Sequence, residues 1–288
     1  MRKHRAAVAL LLLASVIWGG TFVVVQNGIA SVSPERFMLL RFALASLVLA
    51  PFAFAARQLD RRAIRSGLIL GVYLWLGFWL QTRGLLSTTP LRSAFLTALS
   101  VIFVPALELT LYRTRIGWKA GAASLLALLG TLVLVGGFAA RFSLGDTLTV
   151  LCALAFAIYL VLAEKRSRES GPIGLAFVQI VTVTLLSLPL AITIESGPVD
   201  RAAVVAIVTT ALLATSAAFF MLMWAQARAT ALEAAIILSL EPVAAAATSY
   251  MTGNEPITTR AIAGGTLIFV ATILCQLDNA KRPDPMAG

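Results

Sequence analysis

The sequence predicts an all-α integral membrane protein: ten transmembrane helices in two inverted five-helix repeats, with the N- and C-termini cytoplasmic. Three observations predict it. Of the 288 residues 59% are hydrophobic and 12% charged, with mean hydropathy +0.92, against about 45–50% apolar and about 25% charged in soluble domains. Ten apolar runs follow one another along the chain, and at roughly 20 residues per span they leave no room for a soluble domain. Residues also recur between the two halves at nearly constant separations.

Read against their polar punctuation, the spans fall at 6–26, 35–56, 66–86, 91–112, 117–138, 146–164, 172–194, 202–226, 231–251 and 261–278. The first follows Arg2, Lys3 and Arg5 as a signal peptide would, but no A-x-A site followed by polar sequence ends it, so it is expected to stay. The second starts beside Pro34, the third follows the basic run Arg57 to Arg65, and the fourth starts after Pro90. The fifth follows Arg113 and Arg115, the sixth precedes Lys165, Arg166 and Arg168, and the seventh opens on Pro172. Arg201 precedes the eighth, Arg228 separates the eighth from the ninth, and Lys281 and Arg282 follow the tenth.

With the N-terminus inside, the inner segments hold sixteen basic residues and the outer segments six, Arg36, Arg83, Arg92, Arg141, Arg201 and Arg260. The positive-inside rule then fixes both termini in the cytoplasm. The net charge of +10 is on this reading a topology signal. The basic residues are scattered over short loops without stacking aromatics, so nucleic acid is not an expected partner. The Arg57 to Arg65 cluster is suited to anionic membrane lipid.

Several chemistries drop out. No GxxxxGK[ST] run occurs, which excludes a P-loop pump within this chain. His4 is the lone histidine, leaving no Ser-His-Asp triad and no HExxH zinc site, and no metal or other cofactor is expected. Cys152 and Cys275 lie inside apolar runs and read as small buried hydrophobes.

Pro34 pairs with Pro172, Pro51 with Pro189, Trp18 with Phe156 and Val23 with Val161, all at a numbering offset of 138. Trp79-Leu80-Gln81-Thr82-Arg83 matches Trp224-Ala225-Gln226-Ala227-Arg228 at an offset of 145. Ala94, Leu99, Ile116 and Thr131 meet Ala235, Leu240, Ile257 and Thr272 at an offset of 141, with Lys119 opposite Arg260. The repeats are therefore 1–138 and 139–288. Five helices per half is an odd number, so the second half enters the membrane in the opposite sense. Inverted repeats of this kind build secondary transporters with a midplane site between the halves.

The segment AVALLLLASVIWGGTFVVV resembles the opening helix of the EamA-type members of the drug/metabolite transporter superfamily, and SPERFMLLRFALASLVL resembles their second helix. QARATALEAAIILSLEPVAAA, residues 226–246, is similar to their penultimate helix with its Leu-Glu-Pro-Val core. Gly253-Asn254-Glu255-Pro256 and Tyr112-Arg113-Thr114-Arg115 depart from the family pattern in the loops that follow. The resemblance implies a multi-pass protein of the bacterial inner membrane that exports small metabolites, with the nearest likeness to YddG-type aromatic amino-acid exporters. It implies alternating access, a small-molecule substrate, most readily an amino acid, and is compatible with a monomer. A drug or nucleoside exporter is the alternative, since one scaffold serves many substrates. An intramembrane enzyme on a lipid-linked substrate is remote, because a survey of the spans finds only Glu108, near its helix end, and Glu241, on separate helices.

The candidate cavity residues are aromatic and amide side chains. Tyr73, Trp75, Phe78 and Trp79 crowd two turns of the third span, and Trp75, Phe78, Trp79 and Thr82 share one face. Trp79 and Trp224, matched between halves, suggest a symmetric wall, although tryptophan also gathers at membrane interfaces. Gln81 and Gln179 are expected to bond polar ends of a substrate, with Gln226 as packing. Trp18 is a further cavity candidate, Trp18-Gly19-Gly20 reads as tight packing or a gate hinge, and Gly264-Gly265 as packing. Pro105, Pro189 and Pro242 lie within spans and favour bends.

Glu241 is expected near the bilayer centre, binding a substrate ammonium, titrating during transport, or making a structural bond across the repeat. Arg41 is shallower; it is expected to snorkel outward or to meet a carboxylate at the outer mouth. No buried acid–base pair is evident to grip both ends of an amino acid, which favours modest affinity and broad selectivity.

Overall fold

Apolar runs that must leave water can satisfy their backbone only as helices or closed barrels, and every regular element among the described residues is a helix. The computed structural model describes residues 2–113, 117–135, 142–195, 197–251 and 258–279. Arg115, Arg141, Lys281, Arg282, Ile116, Ile257, the Gly253-Asn254-Glu255-Pro256 loop and the end of the expected 117–138 span lie outside the described residues.

The first half contains α1 (Arg2–Gly28), α2 (Pro34–Ala55), α3 (Arg61–Gly84), α4 (Pro90–Thr97), α5 (Ser100–Tyr112) and α6 (Trp118–Val135). The second contains α7 (Leu144–Glu169), α8 (Pro172–Thr193), α9 (Arg201–Thr209), a π-helical segment (Thr210–Ala217), α10 (Ala218–Gln226), α11 (Ala231–Leu238), α12 (Glu241–Met251) and α13 (Thr259–Asn279). Eight stretches are long and apolar enough to cross a membrane, with Pro90–Thr110, Arg201–Gln226 and Ala231–Met251 each counted as one. Trp118–Val133 and Ile262–Cys275 add two shorter apolar stretches. The chain is thus a multi-pass membrane protein.

Helix starts are set by local polar chemistry. Ser33, Asp60, Thr89, Asp200 and Thr230 each accept a bond from the backbone N–H three residues on, and Ser143 with Asp146 forms a reciprocal capping box. Each such cap contributes about 1 kcal/mol by satisfying a donor that the helix cannot.

Two expected spans are corrected. Neither 91–112 nor 231–251 is one continuous helix: the first breaks at Ala98 and Leu99, the second at Ser239 and Leu240. Pro242 accounts for the second break, because its missing N–H leaves the Leu238 carbonyl without a helical donor. Pro105 lies inside α5 and Pro189 inside α8, so neither forms the first break. The half-helices match closely, with Thr89 capping the eight residues of α4 and Thr230 capping the eight residues of α11.

Side-chain contacts sort the helix ends into two groups. At one end His4 Nε2 lies 3.2 Å from Glu233 Oε1 and His4 Nδ1 lies 3.1 Å from the Arg228 carbonyl. Glu164 there accepts the Ala231 N–H at 2.8 Å and an Arg168 bond at 2.8 Å. At the other end Arg83 pairs with Glu35 at 2.5 Å and Arg92 with Asp146 at 2.8 Å, while Gln26 donates to the Leu85 and Thr88 carbonyls. α4 therefore starts at one end of the bundle and α11 at the other. Glu35, Asp146 and Glu233, each 1% exposed, correct the expectation that the spans hold no acids but Glu108 and Glu241; their positions in the first turns of helices hid them among loop charges.

Between the ends, α3 packs on α7 and α8, α2 on α8, α6 on α13, and α1 along α10 and α12. Gly19 lets α1 touch α12: a methyl group there would collide with the Glu241 carbonyl oxygen and sit 2.6 Å from Ala244 Cβ. Gly20 faces more room, its nearest neighbour being Thr248 Oγ1 at 3.4 Å. Packing is thus the role of Gly19, and the Gly264 carbonyl likewise meets Gly130 on α6. Gly19→Ala is expected to destabilise the detergent-solubilised protein by about 1–3 kcal/mol through overpacking against backbone, whereas Gly20→Ala stays within about 0.5 kcal/mol. Thermal unfolding followed by intrinsic fluorescence checks the contrast, and equal midpoints would refute it.

Candidate functional site

Both helix breaks face one cavity. Its wall includes Thr97, Ala98 and Ser100 from the first break and Leu238 and Glu241 from the second. Trp18, Thr21, Phe22 and Val25 of α1, Arg41 of α2, and Leu74, Phe78, Gln81 and Leu85 of α3 add further wall. Phe156, Tyr159 and Leu160 of α7 and Phe219 and Leu222 of α10 complete it. The cavity is open, and the space inside its wall together with its mouth is about 740 Å³. The cavity runs from mid-bundle toward the end that carries Glu35 and Asp146, where Val25 and Leu85 sit.

Six aromatic side chains, Trp18, Phe22, Phe78, Phe156, Tyr159 and Phe219, stand in the wall. Phe78 is its hub, packing edge-on against Phe42 at 5.2 Å, Phe156 at 5.3 Å and Phe219 at 5.9 Å. Trp18 and Tyr159 flank Phe219 at 5.3 and 6.3 Å. Trp18 is fixed by its indole N–H, which donates to the Ala214 carbonyl at 2.7 Å. Tyr159 is fixed by its hydroxyl, which donates to Gln179 Oε1 at 2.8 Å.

Arg41 does not snorkel, which corrects the sequence expectation. Its side chain is buried, with Nε donating to Thr215 Oγ1 at 2.7 Å and Nη2 reaching the Ala214 carbonyl at 3.5 Å. The guanidinium also lies over the rings of Phe78 and Phe42, at 4.8 and 5.2 Å from their centroids. With acceptors and π-faces supplied by the protein, it has no need of the interface. No carboxylate lies within salt-bridge distance of it among the described residues.

Glu241 opens α12 at the second break, 9% exposed, and its carboxylate makes no hydrogen bond or ion pair among the described residues. Thr97 and Ser100 line the wall with it, and Gln81 Nε2 donates to Thr97 Oγ1 at 3.0 Å. An acid and a base without counter-ions therefore line one cavity, contrary to the expectation that none do. They lie in opposite halves of the chain, on elements that only the fold brings together.

Of the residues singled out in the sequence, Trp18, Phe78, Gln81, Arg41 and Glu241 line the cavity, and Tyr73, Trp75, Trp79, Gln179 and Trp224 do not. Trp75 and Trp79 stack on each other at 6.1 Å, and Trp79 Nε1 donates to Glu35 at 3.2 Å. The α3 face that lines the cavity is Leu74, Phe78, Gln81 and Leu85; Phe78 belongs to this stripe and to the one through Trp75 and Trp79. Trp224 lies at the opposite end of the bundle from Trp79, under the Arg228 guanidinium at 3.8 Å. Gln179 stands behind the wall, holding Tyr159. Phe156, Tyr159 and Phe219 escape the sequence reading; Phe156 matches Trp18 at the offset of 138 and Phe219 matches Phe78 at the offset of 141, the recurrence that could have found them.

The profile of the "EamA-like transporter family" matches twice, over residues 5–136 and 143–276. An "Uncharacterized transporter" of Archaeoglobus fulgidus is 32% identical over 268 residues, 93% of this chain and 84% of that protein. A second "Uncharacterized transporter" of the same organism is 28% identical over 165 residues, 54% of this chain and 56% of that one. A solved crystal structure aligns with TM-score 0.78 over 96% of this chain and 99% of its own at 17% identity, a likeness of fold. A chain with this helical fold and a two-fold match over nearly its whole length belongs to the EamA-like transporter family.

Proposed function

We propose that this transporter exports amino acids across a bacterial inner membrane by alternating access of two inverted five-helix repeats, 1–138 and 139–288. Ten spans, counting α6 and α13, return both termini to the cytoplasm. The single observation that carries the substrate class is the pairing of Arg41 and Glu241, neither with a counter-ion among the described residues, in the wall of one aromatic cavity. A zwitterion supplies both missing charges, its carboxylate to Arg41 and its ammonium to Glu241. Each charge would otherwise remain uncompensated at a cost of several kcal/mol.

Selectivity between amino acids is broad on this reading. Trp18, Phe78, Phe156 and Phe219 offer ring faces to an apolar or aromatic side chain without a directional bond to distinguish one from another. Gln81 and Ser100 supply polar contacts beside Glu241. Trp79 and Trp224, each followed four residues later by arginine, belong to the two ends of the pathway, as do the pairs Arg83–Glu35 and His4–Glu233. With the N-terminus cytoplasmic, the cavity is on the outward side and the His4 end is the closed inner side.

Counterflow in proteoliposomes with labelled phenylalanine, tryptophan, methionine and threonine tests the substrate class. Accumulation of several of them is expected; accumulation of none by inserted, folded protein would move drugs and nucleosides to the front. Glu241→Gln removes the charge that answers the ammonium, so counterflow of all four is expected to fall about tenfold or more. Unchanged rates, and an unchanged response to a pH gradient, would remove Glu241 from both binding and coupling.

A further inference from the structure

The two halves are not quite equal, and the difference lies behind the cavity wall, against Trp18 and Arg41. The cap Thr230 follows the cap Asp200 by one position more than the matching cap Thr89 follows Asp60. The second half therefore carries one more residue between these caps. The π-helical segment Thr210–Ala217 is the place that absorbs it, since a π turn holds an additional residue within a helix. Its bonding is shifted accordingly: the Thr215 and Ser216 hydroxyls donate to the carbonyls of Thr210 and Ala211, five residues back, at 2.9 Å each. The Ala218 N–H, which an α-helix would direct to the Ala214 carbonyl, goes to Leu213 and Thr215.

That shift is what Arg41 uses. The Ala214 carbonyl accepts from Trp18 and Arg41, and the Thr215 hydroxyl accepts the Arg41 Nε–H. The position matching Arg41 in the other half, at the offset of 138, is Gln179, which holds Tyr159. The position matching Thr215, at the offset of 141, is Leu74, which has no hydroxyl to offer. So the cation and its polar seat occur together, and neither has an equivalent at the matching positions of the other half. With Nε and one Nη2 hydrogen engaged, the two Nη1 hydrogens have no acceptor among the described residues, and Arg41 lines the cavity.

We infer that the extra residue of the π-helix sets substrate preference: Thr215 is the positioning residue that turns the Arg41 guanidinium so that its Nη1 edge meets a substrate carboxylate. This rests on the amino-acid reading above, but reaches any carboxylate-bearing ligand of the cavity. Replacing Thr215 by valine keeps shape and removes the acceptor, whereas serine keeps the acceptor.

Binding to the solubilised full chain is measured calorimetrically with phenylalanine, 3-phenylpropionate and phenylalaninamide. Thr215→Val is expected to raise Kd about tenfold for the two carboxylates and leave the amide unchanged, with Thr215→Ser close to wild type. Equal weakening of all three ligands, weakening of none, or failure of both carboxylates to bind the wild type would overturn the inference. If 3-phenylpropionate binds and responds to Thr215 while phenylalanine does not bind, the amino-acid reading falls and the seat for the carboxylate stands.

Discussion

A guanidinium buried in a membrane bundle must be compensated locally, and the architecture around the cavity follows from how this is done for Arg41. Leaving water costs a charged side chain several kcal/mol even after relaxation. Here a hydroxyl, a main-chain carbonyl and two aromatic faces offset part of that cost without cancelling the charge. A carboxylate in place of Thr215 would neutralise the site and leave nothing for a ligand to do. The same group of contacts ties together three elements, because Trp18 of α1, Arg41 of α2 and Ala214 of the π-helical segment meet at one carbonyl. The aromatic wall and the packing of both halves are thereby coupled through the Arg41 seat.

The broken helices supply the other pole. A break in the middle of a span is tolerable only where the freed backbone faces protein or a cavity, and both breaks face this cavity. Glu241 stands at the start of a half-helix, where its charge is favoured by the helix dipole. Gly19 presses α1 onto that turn through contact with the Glu241 carbonyl. In the proposed alternating access, movement would act on the two elements that carry these residues, Arg41 on α2 and Glu241 on α12. The polar contacts at the two ends, Arg83 with Glu35 and His4 with Glu233, are reversible devices on which such movement can act.

Much of the fold was legible from composition and recurrence. Span positions follow from apolar run length, helix starts from Ser, Thr, Asp and Pro at the caps, and the family from the residues around Trp18, Pro34 and Glu241. The breaks at Ala98 and Ser239 were less legible, since only Pro242 marks one and neither interrupts the apolar pattern. Within the site, Trp18, Phe78, Gln81, Arg41 and Glu241 could be named, because bulky rings and lone charges stand out in an apolar chain. The face of α3 misleads: tryptophans draw attention, yet Trp79 turns to Glu35 with Trp75 stacked on it, while Leu74, Gln81 and Leu85 line the cavity. The match of Trp79 to Trp224 at an offset of 145 also obscures the register of 141 that relates Phe78 to Phe219. The Arg41 seat was illegible, because Thr215 differs from any other mid-helix threonine only through a π-helix that no local pattern announces.

In the proposed binding mode Arg41 and Glu241 act as the two poles of one substrate site. A structure of the full chain with phenylalanine bound, determined by electron cryo-microscopy, tests this most directly. The amino acid is expected in the cavity, its carboxylate within hydrogen-bond distance of Arg41 Nη1 and its ammonium beside Glu241, with the ring among Phe78, Phe156 and Phe219. Phenylalanine bound elsewhere, or in the cavity with its charged groups turned away from both residues, would contradict it.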